Sequence, residues 1–268
     1  MKTNQNIGLE HVQAVYTGPE GDLWELIMGE QIHLGGFQSS MDLAQRAGIE
    51  PGLHGIDLCC CSGAGMRFLV KCRGVAGMCG VDATTKVVER GRQRCAALGL
   101  TSQISFTLAD VCATGLPSAS ADFVWGEDAW CYVVDKPRLI AEASRLVKPG
   151  GVIAFTDWIE GPAGLSEAEA ARFLTFMKFP SLQDLPGYTA LLAAHGCPLR
   201  VAEDTGRFAP CMDLYLDMLH KQLTYDALRI IGFDLALMQA MGAEMAFLQS
   251  LAHQGKIAQA RFVAVKNR

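Results

Sequence analysis

Three aspartates follow successive apolar runs of this chain. Asp57 lies in the run 54–60, Asp82 ends the run 77–82, and Asp110 ends the run 104–110. The acids are 25 and 28 residues apart, about the length of one strand followed by one helix. A carboxylate at a second strand end can accept hydrogen bonds from both hydroxyls of a ribose. At a third strand end, a carboxylate and the backbone N–H of Val111 can bind the amino group and a ring nitrogen of adenine.

A turn of small residues, DLCCCSGAG (57–65), leaves the first of these runs. Small side chains let the backbone approach a ligand closely, so the turn and the acids together predict a nucleotide-type cofactor site. A single strand-end aspartate would cap the following helix about as often as it would bind a ligand. Neither frame of the turn matches the G-x-G-x-x-G pattern of nicotinamide-dependent enzymes, which argues against a dehydrogenase.

These residues need a sheet to bring them together. Apolar runs and helical patterns alternate from residue 54 to residue 158, which predicts a parallel sheet whose strand ends bind ligands. Strands are expected at 54–60, 77–84, 104–110, 121–130 and 152–158, with a turn at 148–151, and two more at 198–208 and 257–267. The predicted fold class is α/β, a doubly wound, mostly parallel seven-stranded sheet with helical lid insertions.

Helical patterns flank this alternating region. Residues 1–50 contain one such segment, with a second helix over 41–49, and further helical stretches follow residue 158. We expect a single domain in three parts: an N-terminal helical lid segment (1–50), a cofactor-binding α/β core (51–160), and the rest of the sheet with helical insertions over the substrate (161–268).

Composition excludes several classes of protein. The chain has 268 residues, is 50% hydrophobic, and carries a net charge of -5, so a nucleic-acid partner is not expected. The polar N-terminus has no apolar signal core, and no uncharged apolar stretch is long enough to span a membrane. We therefore expect a cytoplasmic protein whose ten cysteines are free thiols.

The motifs IDLCCCSGAG, GVDAT, TLADV, WGEDAW and LVKPGGVIAFTDW, in this order and spacing, resemble the class I S-adenosylmethionine-dependent methyltransferases. MGEQIHLGGF (28–37) resembles the lid segment of the group that contains sarcosine/dimethylglycine N-methyltransferases and tocopherol-type methyltransferases. GEDAWCYVVDKPRLIAEASRLVKPGGV and the C-terminal AFLQSLAHQGKIAQARFVAVK resemble the sarcosine/dimethylglycine enzymes. The resemblance covers nearly the whole chain.

The resemblance implies a set of site residues. S-adenosylmethionine, and its product S-adenosylhomocysteine, would contact residues of the lid and of four strand ends: His33, Gly35, Asp57, Cys59, Cys61, Gly63, Asp82, Ala83, Asp110, Val111 and Glu127. The substrate would lie against Trp130, Tyr132 and Trp158, with Asp128 at the pocket mouth.

The chain departs from the family pattern D-x-G-x-G-x-G, because Cys59 and Cys61 replace the first two glycines. Cysteine has a Cβ, so these positions need negative φ angles or must tolerate strain. Val133 stands where the family has a histidine, which puts a glycine-derived substrate in doubt. Three adjacent cysteines do not converge easily on one ion, so no metal site is expected, and thiol-dependent methylation of a metalloid is a minor alternative.

The expected function is methylation of a small molecule, with an amine or amino-acid derivative as the first candidate. A neutral amine needs no strong base, whereas a hydroxyl or an acidic carbon would need one, and His33 and Asp128 are the candidates. C- or O-methylation of an apolar metabolite is the alternative within the enzyme class. A cofactor-binding protein without catalysis is the alternative from another class. A homodimer is also possible, through the long helices at 211–253.

Overall fold

The computed structural model describes residues 2–268. A seven-stranded sheet has the order β4-β3-β2-β5-β6-β9-β8, and a separate pair joins β1 to β7. The strands are β1 Lys2–Thr3, β2 His54–Leu58, β3 Gly77–Asp82, β4 Ile104–Leu108, β5 Ala121–Glu127, β6 Val147–Glu160, β7 Ser181–Leu182, β8 Leu199–Asp204 and β9 Ile257–Val265. All neighbours in the large sheet run parallel except those of β9, which is antiparallel to both β6 and β8.

Eleven helices surround the sheet within this part of the chain. They are α1 Leu9–Thr17, α2 Pro19–Met28, α3 Gly36–Ala47, α4 Ala64–Arg73, α5 Thr85–Ala97, α6 Lys136–Leu146, α7 Glu167–Met177, α8 Leu185–Ala194, α9 Phe208–His220, α10 Thr224–Ile230 and α11 Leu235–His253. The helix predicted over 41–49 begins earlier, at Gly36, and a loop of residues 29–35 separates it from α2. We call this segment the lid loop.

Both faces of the sheet are covered by helices. Leu139 of α6 and Leu192 of α8 pack against one face, and Leu43 of α3 and Leu69 of α4 belong to the core on the other. The middle of the central strand β5 is apolar, and Phe123, Val124 and Trp125 are fully buried, as expected for a parallel strand covered on both sides. The predicted doubly wound α/β fold is confirmed, and α8 is one of its flanking helices.

A third apolar cluster lies beyond the sheet. Side chains of α1, α2, α7, α9 and α11 pack with one another and with Trp158, close to the end of β6. The helices from both parts of the chain therefore form one layer, in which α1 and α2 are separated from α7, α9 and α11 by about 140 residues of sequence.

The turn predicted at 148–151 is instead part of β6. Pairing with β5 is shifted there, because Ala121 lies opposite Val147 and Phe123 lies opposite Val152, so residues 148–151 form an irregular bulge. A Cβ on Gly151 would lie 2.6 Å from the carbonyl oxygen of Asp122. The glycine permits this close approach, which sequence periodicity alone does not reveal.

No single helix within residues 2–268 is both long enough and apolar enough to cross a membrane. The pair α10 and α11 meets that test only when taken together, and the two helices are bent by 119°.

Candidate active site at the strand ends

A cavity of about 380 Å³ lies at the carboxyl ends of β2, β3 and β5 and under α1 and the lid loop. This volume is within the range of about 300–1,000 Å³ that is usual for small-molecule sites. Most of the predicted site residues line it: His33, Asp57, Cys59, Cys61, Asp82, Ala83, Asp110, Val111, Glu127, Asp128 and Tyr132.

The cysteine turn has a strained backbone. Cys59 has a φ of 65° and Cys61 a φ of 46°, so both residues adopt the left-handed conformation that glycine takes without strain. Each such residue costs on the order of 1–2 kcal/mol. The N–H groups of Cys59 and Cys60 both donate to the carbonyl oxygen of Val81, at 2.9 and 3.1 Å, which helps to hold the turn. The backbone therefore follows the course expected of a glycine-rich turn, with strain accepted at two cysteines.

The turn leads into the N-terminus of α4. Gly63 has a φ of 75° and caps this helix without lining the cavity, whereas Ala64 and Gly65 do line it. A Cβ on Gly65 would lie 2.6 Å from Oε2 of Glu127, so this position has no room for a side chain. The first N–H groups of a helix are free to bind an anionic group such as a carboxylate.

The three strand-end aspartates differ in their surroundings. Asp82 accepts hydrogen bonds from the N–H groups of Cys61 and Thr84, each at 2.9 Å on a different oxygen. A carboxylate has about four acceptor sites, so each oxygen can still accept a hydroxyl. Asp110 is exposed and accepts from the N–H of Cys112 at 2.8 Å. Burial raises the pKa of Asp57 well above its usual value, and the nearby Glu127 and Asp82 add to this effect.

His33 is buried where the lid loop meets β5. Its Nε2 is 3.2 Å from Oγ of Ser40 and 3.4 Å from Oε1 of Glu127, and Ser40 donates to that same oxygen at 2.6 Å. Its Nδ1 is buried and has no hydrogen-bond partner among residues 2–268. His33 thus lines the cavity and keeps one ring nitrogen without a hydrogen-bond partner in this part of the chain.

Asp128 holds the lid loop to the sheet. One of its oxygens accepts from the N–H of Leu34 at 2.8 Å, and Gln259 of β9 donates to both oxygens at 3.0 and 2.7 Å. Gln259 also donates to the carbonyl oxygen of Leu34 at 3.1 Å. Burial raises the pKa of Asp128, while the nearby His33 and the donated hydrogen bonds lower it. Its occupied oxygens suit a positioning role better than proton transfer.

Two tyrosines close the inner end of the cavity. The hydroxyls of Tyr16 and Tyr132 are 3.2 Å apart, and their rings meet edge to face. Both residues also line a small adjoining cavity of about 20 Å³, which is bounded by Trp158. Burial raises the pKa of Tyr16 well above its usual value, so its hydroxyl stays protonated at neutral pH.

Several predicted residues do not line the main cavity. Trp130 is fully buried in the core, where its ring stacks on Phe155 and its Nε1 donates to the carbonyl oxygen of Leu58 at 3.2 Å, so it does not face a substrate there. Gly35 has a φ of 82° and caps α3. It, Gly63 and Trp158 lie outside the main cavity, although Trp158 reaches the small one.

Sequence reasoning missed some residues of the cavity. Tyr16 and Gln13 come from α1, and Gln13 donates to the carbonyl oxygen of Ala83 at 2.8 Å. Ser40 reaches the site through its contact with Glu127. No local motif marks these side chains, because they enter the site only through the packing of distant helices.

The cavity is rich in acids. Seven carboxyl groups line it, from Glu30, Asp57, Asp82, Asp110, Glu127, Asp128 and Asp135. Among residues 2–268, Arg138 is the only arginine or lysine on this lining. Such a cavity favours ligands that carry positive charge. No group of three His, Cys, Asp or Glu residues in this part of the chain could hold a metal ion, and all ten cysteines are unpaired.

Comparison with known proteins agrees with this geometry. Residues 56–155 match the methyltransferase domain family. The chain is 25% identical over 203 residues to phosphoethanolamine N-methyltransferase 1 of Arabidopsis thaliana, covering 74% of this chain and 40% of that protein. It is 26% identical over 223 residues to the 2-methyl-6-phytyl-1,4-hydroquinone methyltransferase of Synechocystis sp., covering 75% and 69%. The chain therefore spans about two fifths of the length of the plant relatives it matches.

Solved structures share the fold. Phosphoethanolamine N-methyltransferase 2 of Haemonchus contortus, in complex with phosphomonomethylethanolamine and S-adenosylhomocysteine, superposes with a TM-score of 0.84 at 19% identity, over 96% of this chain and 59% of that one. A candidate sarcosine dimethylglycine methyltransferase of Galdieria sulphuraria superposes with a TM-score of 0.73 at 19% identity, over 86% of each chain. Residues 56–155 are thus a methyltransferase domain, and the chain has the Rossmann-like fold of the S-adenosylmethionine-dependent methyltransferases, which confirms the resemblance.

S-adenosylmethionine, the cofactor of this class, suits the residues present. Asp82 has acceptor sites left for ribose hydroxyls, and the start of α4 offers N–H groups for a carboxylate. Because Gly65 has no Cβ, space remains beside the carboxylate of Glu127 for part of the cofactor. The carboxylates around the cavity favour the positively charged sulfonium and ammonium groups of the cofactor.

Proposed function

We propose that this protein is an S-adenosylmethionine-dependent methyltransferase that methylates the nitrogen of a small amine. The observation that carries the proposal is the acidic lining of the cavity, where seven carboxyl groups stand against one arginine. Asp57, whose pKa is raised by burial, and Glu30, which pairs with Arg67, contribute less to its negative charge than the other five. An amine that is protonated in solution is concentrated by such a field, whereas a phosphorylated or carboxylated substrate is repelled. The plant relatives and the Haemonchus contortus protein of similar structure are also named as N-methyltransferases that act on an amine.

We propose that His33 accepts the proton that the amine must lose before its lone pair can react. The free Nδ1 of His33 supports this role, since a proton acceptor needs an available lone pair within the site. The hydrogen bond from Ser40 to Glu127 fixes the groups behind the ring. Asp128 is proposed as a positioning residue, because its oxygens already hold Leu34 and Gln259.

S-adenosylmethionine, when bound, supplies a methyl group on a positively charged sulfur. The chain's contribution is to hold the reacting groups in line and to exclude water, which accounts for much of the catalysis in a displacement of this kind. Tyr16 and Tyr132 would form the wall against which the amine lies, since their hydroxyls and ring faces are suited to an ammonium or amine group.

Release of S-adenosylhomocysteine, measured with a panel of acceptors, tests the proposal. The panel pairs ethanolamine with phosphoethanolamine, and adds sarcosine and a hydroquinone. We expect turnover of the unphosphorylated amine and a kcat/KM at least tenfold lower for its phosphorylated partner. Methylation of the hydroquinone without that of any amine would refute N-methylation. If no acceptor is methylated, calorimetry with S-adenosylhomocysteine shows whether the protein still binds the product of the cofactor.

The roles of His33 and Asp128 are separated by their pH profiles. We expect His33→Gln to lower kcat and to remove the fall in rate that protonation of the histidine causes on the acidic side of the pH profile. Asp128→Asn should raise KM for the cofactor and leave the shape of the pH profile unchanged. If both variants keep wild-type turnover at saturating substrate, neither residue acts as a general base.

O- or C-methylation of an apolar ring is the second candidate. The aromatic inner wall of Tyr16, Tyr132 and Trp158 supports it, as does the hydroquinone named for the Synechocystis relative. The hydroquinone in the panel distinguishes this candidate from the first.

A further inference from the structure

A second cavity lies within the helical layer, away from the strand ends. Its volume is about 440 Å³, and it is enclosed by α2, α9, α10 and α11, with Phe176 of α7 on one side. Leu23 and Ile27 of α2 face Met241 and Met245 of α11 across it. The sulfur-containing side chains are flexible and adapt to irregular apolar ligands.

Polar groups are few on this second lining. Within residues 2–268, they are limited to His220, Thr224 and Gln239. The contrast with the acid-lined cavity is sharp, because no carboxylate, lysine or arginine lines the second one. Its chemistry suits a hydrocarbon chain or ring system and offers nothing that would hold a charged headgroup.

A small cavity of about 20 Å³ lies between the acid-lined cavity and the apolar one. That cavity shares Tyr16, Tyr132 and His33 with the catalytic cavity, and it shares Trp24 with the apolar one. A volume of this size holds about one water molecule, so an alkyl chain can pass between the cavities only when the side chain of Trp24 moves. Met28 and Met177 also border the small cavity and can change rotamer to widen it.

The outer surface beside the apolar cavity is itself apolar. Tyr225 of α10 and Phe233, between α10 and α11, are 66% and 52% exposed and contact each other edge to face. Leu235 at the start of α11 is 65% exposed. Large apolar side chains grouped at a corner in this way commonly mark a point where an apolar ligand enters.

From the opposite chemistry of these neighbouring cavities we infer that the acceptor is an amphipathic amine. Its nitrogen lies in the acid-lined cavity beside Tyr16 and Tyr132, and its apolar chain passes Trp24 into the cavity between α2 and α11. The inference rests on the proposed amine methylation and adds the class of substrate. The acid-lined cavity and the apolar cavity have opposite chemistry and lie on either side of the small cavity. This arrangement fits a single ligand with a charged head and an apolar tail.

A chain-length series tests this assignment. Turnover of n-alkylamines from butylamine to dodecylamine is read by S-adenosylhomocysteine release. Each methylene buried in the apolar cavity should raise kcat/KM about three- to fourfold until the cavity is filled. A flat series, with butylamine turned over as well as dodecylamine, would overturn the inference and leave the proposed amine methylation standing.

Gly242 offers a way to fill the cavity. It lies within α11 and lines the cavity, and a Cβ built on it meets no atom within 4 Å. Gly242→Phe should abolish the gain with chain length and leave butylamine turnover unchanged. Ala240→Phe, on the exposed side of the same helix, is the matched control and should behave as the wild type. Gly242→Leu repeats the test if circular dichroism shows that the phenylalanine variant is misfolded.

Direct binding of N-phenyl-1-naphthylamine, an uncharged apolar fluorescent probe, separates failure of the inference from failure of the proposed function. We expect saturable binding to the wild type and to Ala240→Phe, at least tenfold weaker binding to Gly242→Phe, and displacement by dodecylamine. If no amine is turned over, the proposed function fails, and the probe still decides whether the cavity takes an apolar chain. Binding that is insensitive to Gly242→Phe would refute an apolar-chain site. Binding that dodecylamine does not displace would indicate a separate lipid and overturn the substrate assignment.

Discussion

The contact between Gln259 and Asp128 offers a sharp test of how the lid loop is held. Gln259 is fully buried in β9, and its amide donates to both oxygens of Asp128 and to the carbonyl of Leu34. Gln259→Leu keeps the approximate size of the side chain and removes all three donations. Asp128 then keeps the N–H of Leu34 as a partner and loses the amide, while it remains buried.

The size of the effect follows from the charge of the acceptor. A hydrogen bond to a charged group contributes about 1.5–3 kcal/mol, and the loss is greatest where the remaining partner stays buried. The additional apolar contact of leucine offsets part of this loss. We expect the free energy of unfolding to fall by about 3 kcal/mol. At about 2–4 °C per kcal/mol for a domain of this size, the Tm should fall by roughly 6–12 °C.

The assay is urea denaturation followed by circular dichroism, with the Tm measured separately. Gln249→Leu is the matched control, because Gln249 also donates to an aspartate, Asp213, but at the surface. Its removal should cost less than about 0.5 kcal/mol. Equal losses in the two variants would refute the view that buried contacts with Asp128 anchor the lid loop. Calorimetry should also show weaker binding of S-adenosylhomocysteine to Gln259→Leu alone, since the lid loop carries His33.

Three further outcomes are expected. Asp82→Asn should weaken binding of S-adenosylhomocysteine about tenfold by calorimetry, because one acceptor oxygen is lost, and an unchanged Kd would exclude this carboxylate from the ribose site. Burial raises the pKa of Asp157 to about 6, although the hydroxyl of Tyr188 donates to it. The contribution of this group to stability is therefore fully present below the unfolded pKa, near 4, and is lost as the pH rises through about 6. In Asp157→Asn, the denaturation midpoint should therefore depend less on pH between pH 4 and pH 7 than it does in the wild type. Burial and the neighbouring Asp82 raise the pKa of Cys61 to about 12. Iodoacetamide at pH 8 should therefore label the exposed Cys72 first, as detected by mass spectrometry. Rapid labelling of Cys61 would contradict the view that it is held as a neutral thiol.

The succession of strands and helices along the chain and the positions of the acids were accessible from the sequence. Parallel strands covered on both faces are continuous apolar runs, so the alternation of strands and helices from 54 to 158 was visible in the pattern. Asp57, Asp82 and Asp110 were found because a strand-end residue is defined by the local pattern alone. The ends of parallel strands meet at one edge of a sheet whatever the details of packing.

The conformation of the cysteine turn was not accessible in this way. The sequence showed that Cys59 and Cys61 must avoid the left-handed region or tolerate strain, and the structure has both residues in it. Hydrogen bonds from the turn to Val81 and Asp82 of the neighbouring strand β3 hold it there. These partners are about 20 residues away along the chain, so only the assembled sheet brings them into place.

By itself, then, the sequence determined the fold class and the edge of the sheet at which the candidate site lies, because periodicity along one chain is enough to define buried strands and their ends. Tertiary structure decided which aromatic side chains line the site. It placed Trp130 in the core and brought Tyr16 from α1 to Tyr132. It also created the apolar cavity between α2 and α11, whose walls come from segments about 200 residues apart. Such contacts depend on how helices pack, and a local pattern specifies which face of a helix is buried but not which distant helix will cover it.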